Sequence, residues 1–140
     1  MGKINWSRVF VGGLVAGIVT FVIGGLITAI WAKELEAGIT ALGHPYAIPK
    51  SPGTLLSVFL VNLVLGLVLV WLYAGIRPRY GPGPKTAAAG GVAIWLIMAM
   101  SDVFFITIGV LPVRPFVAPI AAGLVATLAA AEVGAWLYKE

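Results

Sequence analysis

The chain of 140 residues contains no cysteine, a single histidine and only five acidic residues. Each shortage removes a class of chemistry. Without cysteine there is no disulfide, no thiolate nucleophile and no thiolate ligation of a cluster. The one histidine, His44, sits in a proline-rich stretch outside every apolar run. No span therefore offers an imidazole to a haem, and no serine–histidine–acid set can assemble inside a span. Zinc needs several nitrogen, sulfur or carboxylate ligands close together, and no such group is spaced for it. The expectation is a chain with no cofactor or metal of its own, and not an enzyme.

Charge is scarce as well. Charged residues make up 10% of the chain, against about 25% in a soluble domain. The net charge of +4 comes from cations that flank apolar runs. They form no stripe interleaved with exposed aromatics, so no nucleic-acid partner is expected. In such a chain the first meaning of the cations is membrane topology.

Apolar sequence is abundant. Hydrophobic residues are 61% of the chain and the mean hydropathy is +1.06. Four runs, roughly 9–31, 54–76, 87–110 and 116–138, are each long enough to cross about 30 Å of hydrocarbon as a helix. The first run is too long for the core of a signal peptide and is followed by no small-residue cleavage pattern. The expected fold is all-α: one transmembrane domain over 1–140, built as an integral-membrane four-helix bundle.

The connections fix how the spans alternate. The stretch 32–53 is the longest and is expected to leave the membrane. Its part 33–43 is expected to continue as a helix stopped at Gly43, with a stiff loop from His44 to Gly53. Between the second and third spans lies Trp71-Leu-Tyr-Ala-Gly-Ile-Arg-Pro-Arg-Tyr-Gly-Pro-Gly-Pro-Lys-Thr86. Its prolines each remove a backbone donor, so the second helix is expected to stop near Ile76 and residues 77–86 to form a basic hairpin. Residues 111–115 make the last turn. Six of the nine Lys and Arg residues lie at the two termini and this hairpin, and three lie on the other side. The positive-inside rule puts both termini in the cytoplasm.

Small residues recur at helical spacing. Gly13, Gly17 and Gly24 share one face of the first span, and Ala122, Ala126, Ala130 and Gly134 share one face of the fourth. Such stripes let helix backbones approach closely. Asp102 and Glu132 are the only acids inside the spans, where a carboxyl group is costly and usually faces the bundle interior. Helical rise puts them roughly 13 Å apart in depth, too far for a direct dyad. Asn62 matches Asp102 in depth, and an amide–carboxyl hydrogen bond between them is expected. Glu132 projects nearly opposite the Ala118–Gly134 stripe, so either the fourth helix has neighbours on two sides or Glu132 sits near lipid. Arg77, Arg79 and Lys85 are placed to meet anionic lipid head groups, each contact worth about 1 kcal/mol. The run Gly81-Pro-Gly-Pro-Lys-Thr86 is not a phosphate loop, because Pro84 stands where the second glycine belongs and has no N–H to offer.

Ile4-Asn-Trp6, the glycine-rich first span, Ala37-Gly-Ile-Thr-Ala-Leu-Gly43 and the Arg-Pro-Arg hairpin together resemble an uncharacterised family of small bacterial four-span membrane proteins. The resemblance implies a multi-pass protein of the bacterial inner membrane and brings no activity with it. Two functions are expected from the residues. The first is a non-catalytic accessory subunit that packs, through its small-residue stripes, against other membrane protein subunits, conceivably of an energy-transducing complex. The alternative is a small homo-oligomeric proton-coupled transporter or channel using Asp102 and Glu132. Membrane lipids are partners in either case.

Overall fold

The computed structural model describes residues 4–43 and 51–138. Five helices follow one another: α1 (Trp6–Ile30), α2 (Ala32–Ala41), α3 (Pro52–Tyr80), α4 (Pro84–Thr107) and α5 (Val113–Leu137). All but α2 are long and apolar enough to cross a membrane. No strand occurs among the described residues. The predicted loop at His44–Lys50 lies outside them.

Local chemistry sets the helix ends. The Asn5 side chain accepts the Arg8 N–H at 3.2 Å, and the Ser51 hydroxyl accepts the Thr54 N–H at 3.1 Å. Each satisfies one of the first-turn donors that no helix can satisfy alone. Pro52 and Pro84 stand in the first turns of α3 and α4, where the missing N–H is no loss.

Two boundaries depart from the sequence expectation. The second span does not stop at Ile76. It continues through Pro78 to Tyr80, because a proline one turn from a helix end forfeits a single hydrogen bond there. The connection between α3 and α4 is then only residues 81–83. Gly81 and Gly83 take φ of 84° and 128°, conformations in which a side chain would be strained. The Thr86 hydroxyl donates to the Gly81 carbonyl at 2.7 Å, and the Gly83 N–H donates to the Tyr73 hydroxyl at 3.3 Å. These bonds tie the turn to both helices. The other departure is at Trp31. It separates α1 from α2, so residues 32–41 form a short helix of their own. That helix buries Leu35 and Ile39 and packs on the start of α5. A Cβ on Gly38 would lie 2.6 Å from the Pro115 ring.

The four long helices form a ring in the order α3, α1, α5, α4, with α4 closing back on α3. Neighbours are antiparallel. Gly13 meets Leu67 and Gly17 meets Leu63, so α1 and α3 run in opposite directions. The Asn5 N–H donates to the Tyr138 hydroxyl at 3.1 Å, which brings the two ends of the described chain together, beside the 81–83 turn. This is the hairpin end of the bundle. α5 has α1 on one flank and α4 on the other, so it has neighbours on two sides within the chain.

The contiguous buried cluster lies in the hairpin half. It comprises Val9 and Ala16 of α1, Leu69, Val70, Tyr73 and Ala74 of α3, Ala87 and Ile94 of α4, and Ala130 and Ala131 of α5, with Tyr138. None lies more than about 17 Å from the hairpin end at the helical rise.

Candidate functional site

The close approach of α1 and α3 ends abruptly. A Cβ on Gly13 would lie 2.7 Å from the Leu67 Cα, and one on Gly17 would lie 2.6 Å from the Leu63 Cα. A Cβ on Gly66 would run into Gly17 N and Gly13 O. Gly24, two turns further along α1, meets nothing within 4 Å. On α5 the same grading appears: Gly134 abuts Val70 and Ala16, Ala130 and Ala126 are buried, Ala122 is half-buried and Ala118 is exposed. Both small-residue stripes are filled by the chain's own helices near the hairpin end and left open at the other.

Where the helices part, they enclose a cavity of about 240 Å³. Asp102 of α4 and Asn62 of α3 both line it. Each stands eighteen residues from the hairpin end of its helix, counted from Pro84 and Tyr80, about 27 Å at the helical rise. The rest of the wall is mainly apolar: Ile27, Met98, Phe116 and Ile120, with Leu35 of α2 at the far side. Its floor is the core around Ala16, Ile94 and Ala130.

The amide–carboxyl hydrogen bond expected between Asn62 and Asp102 is absent. Asn62 Nδ2 donates to the Val58 carbonyl in its own helix at 2.9 Å, because a side-chain donor in a helix finds the i−4 carbonyl nearest. The hydroxyls on the cavity wall do the same: Thr20 to Ala16, Thr28 to Gly24 and Thr127 to Gly123. Trp95 Nε1 donates to the Ile120 carbonyl at 2.8 Å. These donors are used within the protein. Among the described residues Asp102 is the one ionisable group on the cavity wall, and none of them donates a hydrogen bond to it.

Sequence reasoning missed Trp95, Pro119 and Thr127 as parts of this wall. A signal existed for two of them. A tryptophan in mid-span rather than at an interface needs an acceptor for its indole N–H. A proline in mid-helix frees the carbonyl four residues earlier.

Glu132 is elsewhere. It lines a separate depression of about 180 Å³ with Tyr73, Gly83, Pro84, Ala135 and Trp136. The two acids stand at opposite ends of the bundle, with the packed core between them. The hairpin cations also divide. Arg79 and Lys85 are exposed. Arg77 is partly buried, with its guanidinium 5.6 Å from the centre of the Tyr138 ring, a cation–π distance. Tyr138 in turn meets Tyr73 edge to face at 6.0 Å.

No protein-family model, curated protein or solved structure matches the chain.

Proposed function

We propose that the protein is a small proton-coupled carrier of the membrane, with Asp102 as its exchange site. The observation that carries this reading is the placement of Asp102 on a cavity that the packed core bounds toward the hairpin end. An intramembrane carboxyl group is a functional-site hypothesis by default. This one has no cation beside it on the cavity wall and no hydrogen-bond donor among the described residues. It can hold a proton or a cation but not both, which is the elementary requirement for exchanging one for the other. Tight packing on one side of the cavity is what one state of such a carrier requires. Glu132, in the depression at the hairpin end, is the candidate group for the opposite side. The positive-inside count places the hairpin end and both termini in the cytoplasm, and the family resemblance suggests the bacterial inner membrane. Assembly as a homo-oligomer belongs to the same proposal.

The test is proton flux into proteoliposomes of the purified chain under an imposed pH gradient, read by an entrapped pH dye. Asp102→Asn is expected to lose at least nine-tenths of the protein-dependent rate. A variant that conducts at the wild-type rate removes Asp102, and with it this reading.

A second reading is an accessory subunit of a larger, energy-transducing membrane assembly. One observation favours it: Gly24 and the exposed Gly25 of α1 leave open space into which a foreign helix could pack closely. The rest of its former support, the small-residue stripes near the hairpin end, is used internally. Gentle extraction followed by a native gel and mass spectrometry separates the two readings. Stoichiometric foreign subunits support the second, and migration as a lone chain or small homo-oligomer removes it. Head-group binding by Arg79 and Lys85, with Arg77 drawn inward, accompanies either reading.

A further inference from the structure

On the outer flank of α1 and α3, beyond their last close contact, lies a groove of about 500 Å³. Its walls are Phe21, Val22, Leu26, Leu55 and Val58, with Phe21 and Phe59 edge to face across the helices at 5.1 Å. Gly24, Thr28 and Asn62 belong to this groove and also to the Asp102 cavity on the other side of the helix pair. The partition between the two spaces is thus one glycine, one threonine and one asparagine. Both polar side chains of the partition are folded back onto their own backbones. Gly24 has no atom within 4 Å of where its Cβ would be. A helix pair welded shut would show the opposite, as the same two helices do at Gly13, Gly17 and Gly66.

We infer that α1 and α3 part at Gly24 to admit a ligand from within the bilayer, and that the ligand is an amphipathic organic monocation, a protonated amine on an apolar body. The inference deepens the carrier reading and rests on it for the role of Asp102. Charge complementarity sets the head group. Among the described residues Asp102 is the sole ionisable group of the cavity, and a single carboxylate in an apolar wall selects a single positive charge. The apolar groove sets the tail. A ligand that arrives between two lipid-facing helices must already partition into lipid. Entry from the lipid favours a cation carried on an apolar body over a compact inorganic ion, which lipid would not supply.

Dansylcadaverine, a fluorescent primary amine on a five-carbon tether, is the probe. The full chain in nanodiscs is titrated with it and with its N-acetylated, uncharged form, and binding rates are followed by stopped flow. The wild type is expected to bind the amine at least tenfold more tightly than the acetylated form. Asp102→Asn is expected to erase that preference, and Asp102→Glu to restore part of it. Gly24→Leu fills the partition at a position where an added Cβ has no neighbour within 4 Å. It is expected to slow association and dissociation by fivefold or more. Val125→Leu, on an exposed face of α5 away from both spaces, should leave the rates alone. Equal affinity for charged and acetylated probe overturns the ligand class, and unchanged rates in Gly24→Leu overturn the lateral route. Binding is read without flux, so the two ideas fail separately. Loss of amine selectivity with Asp102-dependent proton flux intact sinks the inference alone. Selective binding with no flux in the wild type sinks the carrier reading alone.

Discussion

The hairpin half of the bundle and the half that carries α2 are built from the same helices and obey different rules. Near the hairpin end, glycine and alanine sit where another backbone passes: Gly12 against Gly134, Gly13 and Gly17 against α3, Gly91 against Thr127. Side chains between them are fully enclosed, Leu69 and Val70 at 2% and 1% exposure. In the other half the helices keep small residues, Gly24, Gly25 and Ala118, but among the described residues nothing lies within 4 Å of a Cβ on either glycine, and Ala118 is exposed. Small residues alone do not close a helix pair. Closure needs a complementary ridge at the same depth, which Leu63 and Leu67 supply for Gly17 and Gly13 and which α3 does not supply opposite Gly24. Association in lipid rests on such van der Waals fit, because apolar burial by itself drives little there. The half with the fit became the anchor, and the half without it holds the cavity.

Substitutions can break or sharpen this contrast. The largest effect is expected at Gly66→Leu, which drives a branched side chain into the α1 backbone at Gly13 and Gly17. The cost should reach or exceed ~3 kcal/mol, the upper end of ordinary overpacking, read as loss of the folded species in detergent unfolding. Leu69→Ala comes next, at about 2–4 kcal/mol for a buried leucine that leaves a void. Leu26→Ala, on the open half where Leu26 is 60% exposed, should stay within about 0.5 kcal/mol in the same assay. Tyr138→Phe removes the acceptor of the Asn5 N–H and is expected to cost about 1–2 kcal/mol, with faster hydrogen exchange at the start of α1. Thr86→Val removes the donor to the Gly81 carbonyl and should cost about 1 kcal/mol. Gly24→Ala is the smallest. It should be neutral or slightly stabilising, since alanine favours the helix by up to ~1 kcal/mol and meets no atom. A large loss at Gly24→Ala, or none at Gly66→Leu, would erase the distinction between the halves.

Much of this fold could be read from the chain. Hydropathy located four spans to within a few residues at most ends, because a helix that crosses lipid must be apolar along its whole length. The largest error lay at Pro78, where the rule that proline ends helices ignored how little a last-turn proline costs. The cavity was less legible. Asp102 and Asn62 were matched in depth by counting, and they do share a wall. The bond expected between them fails because Asn62 has a nearer acceptor at Val58. Trp95 reaches Ile120, and Glu132 reaches the depression beside Gly83. Both placements depend on which helices are neighbours, and no local pattern carries that.

What the sequence by itself determined is the class of object. Its hydropathy requires spanning helices, since backbone polar groups in lipid must be satisfied within each segment. Its lack of cysteine and of histidine in the spans removes thiolate and imidazole chemistry from the membrane. Its glycines mark where backbones could approach. Only the tertiary structure decided which of those glycines are used. Spacing along one helix fixes a face, but contact needs a second helix with matching relief at the same height. That match exists near the hairpin end and fails beyond Gly17, and the failure is what leaves Asp102 facing open space.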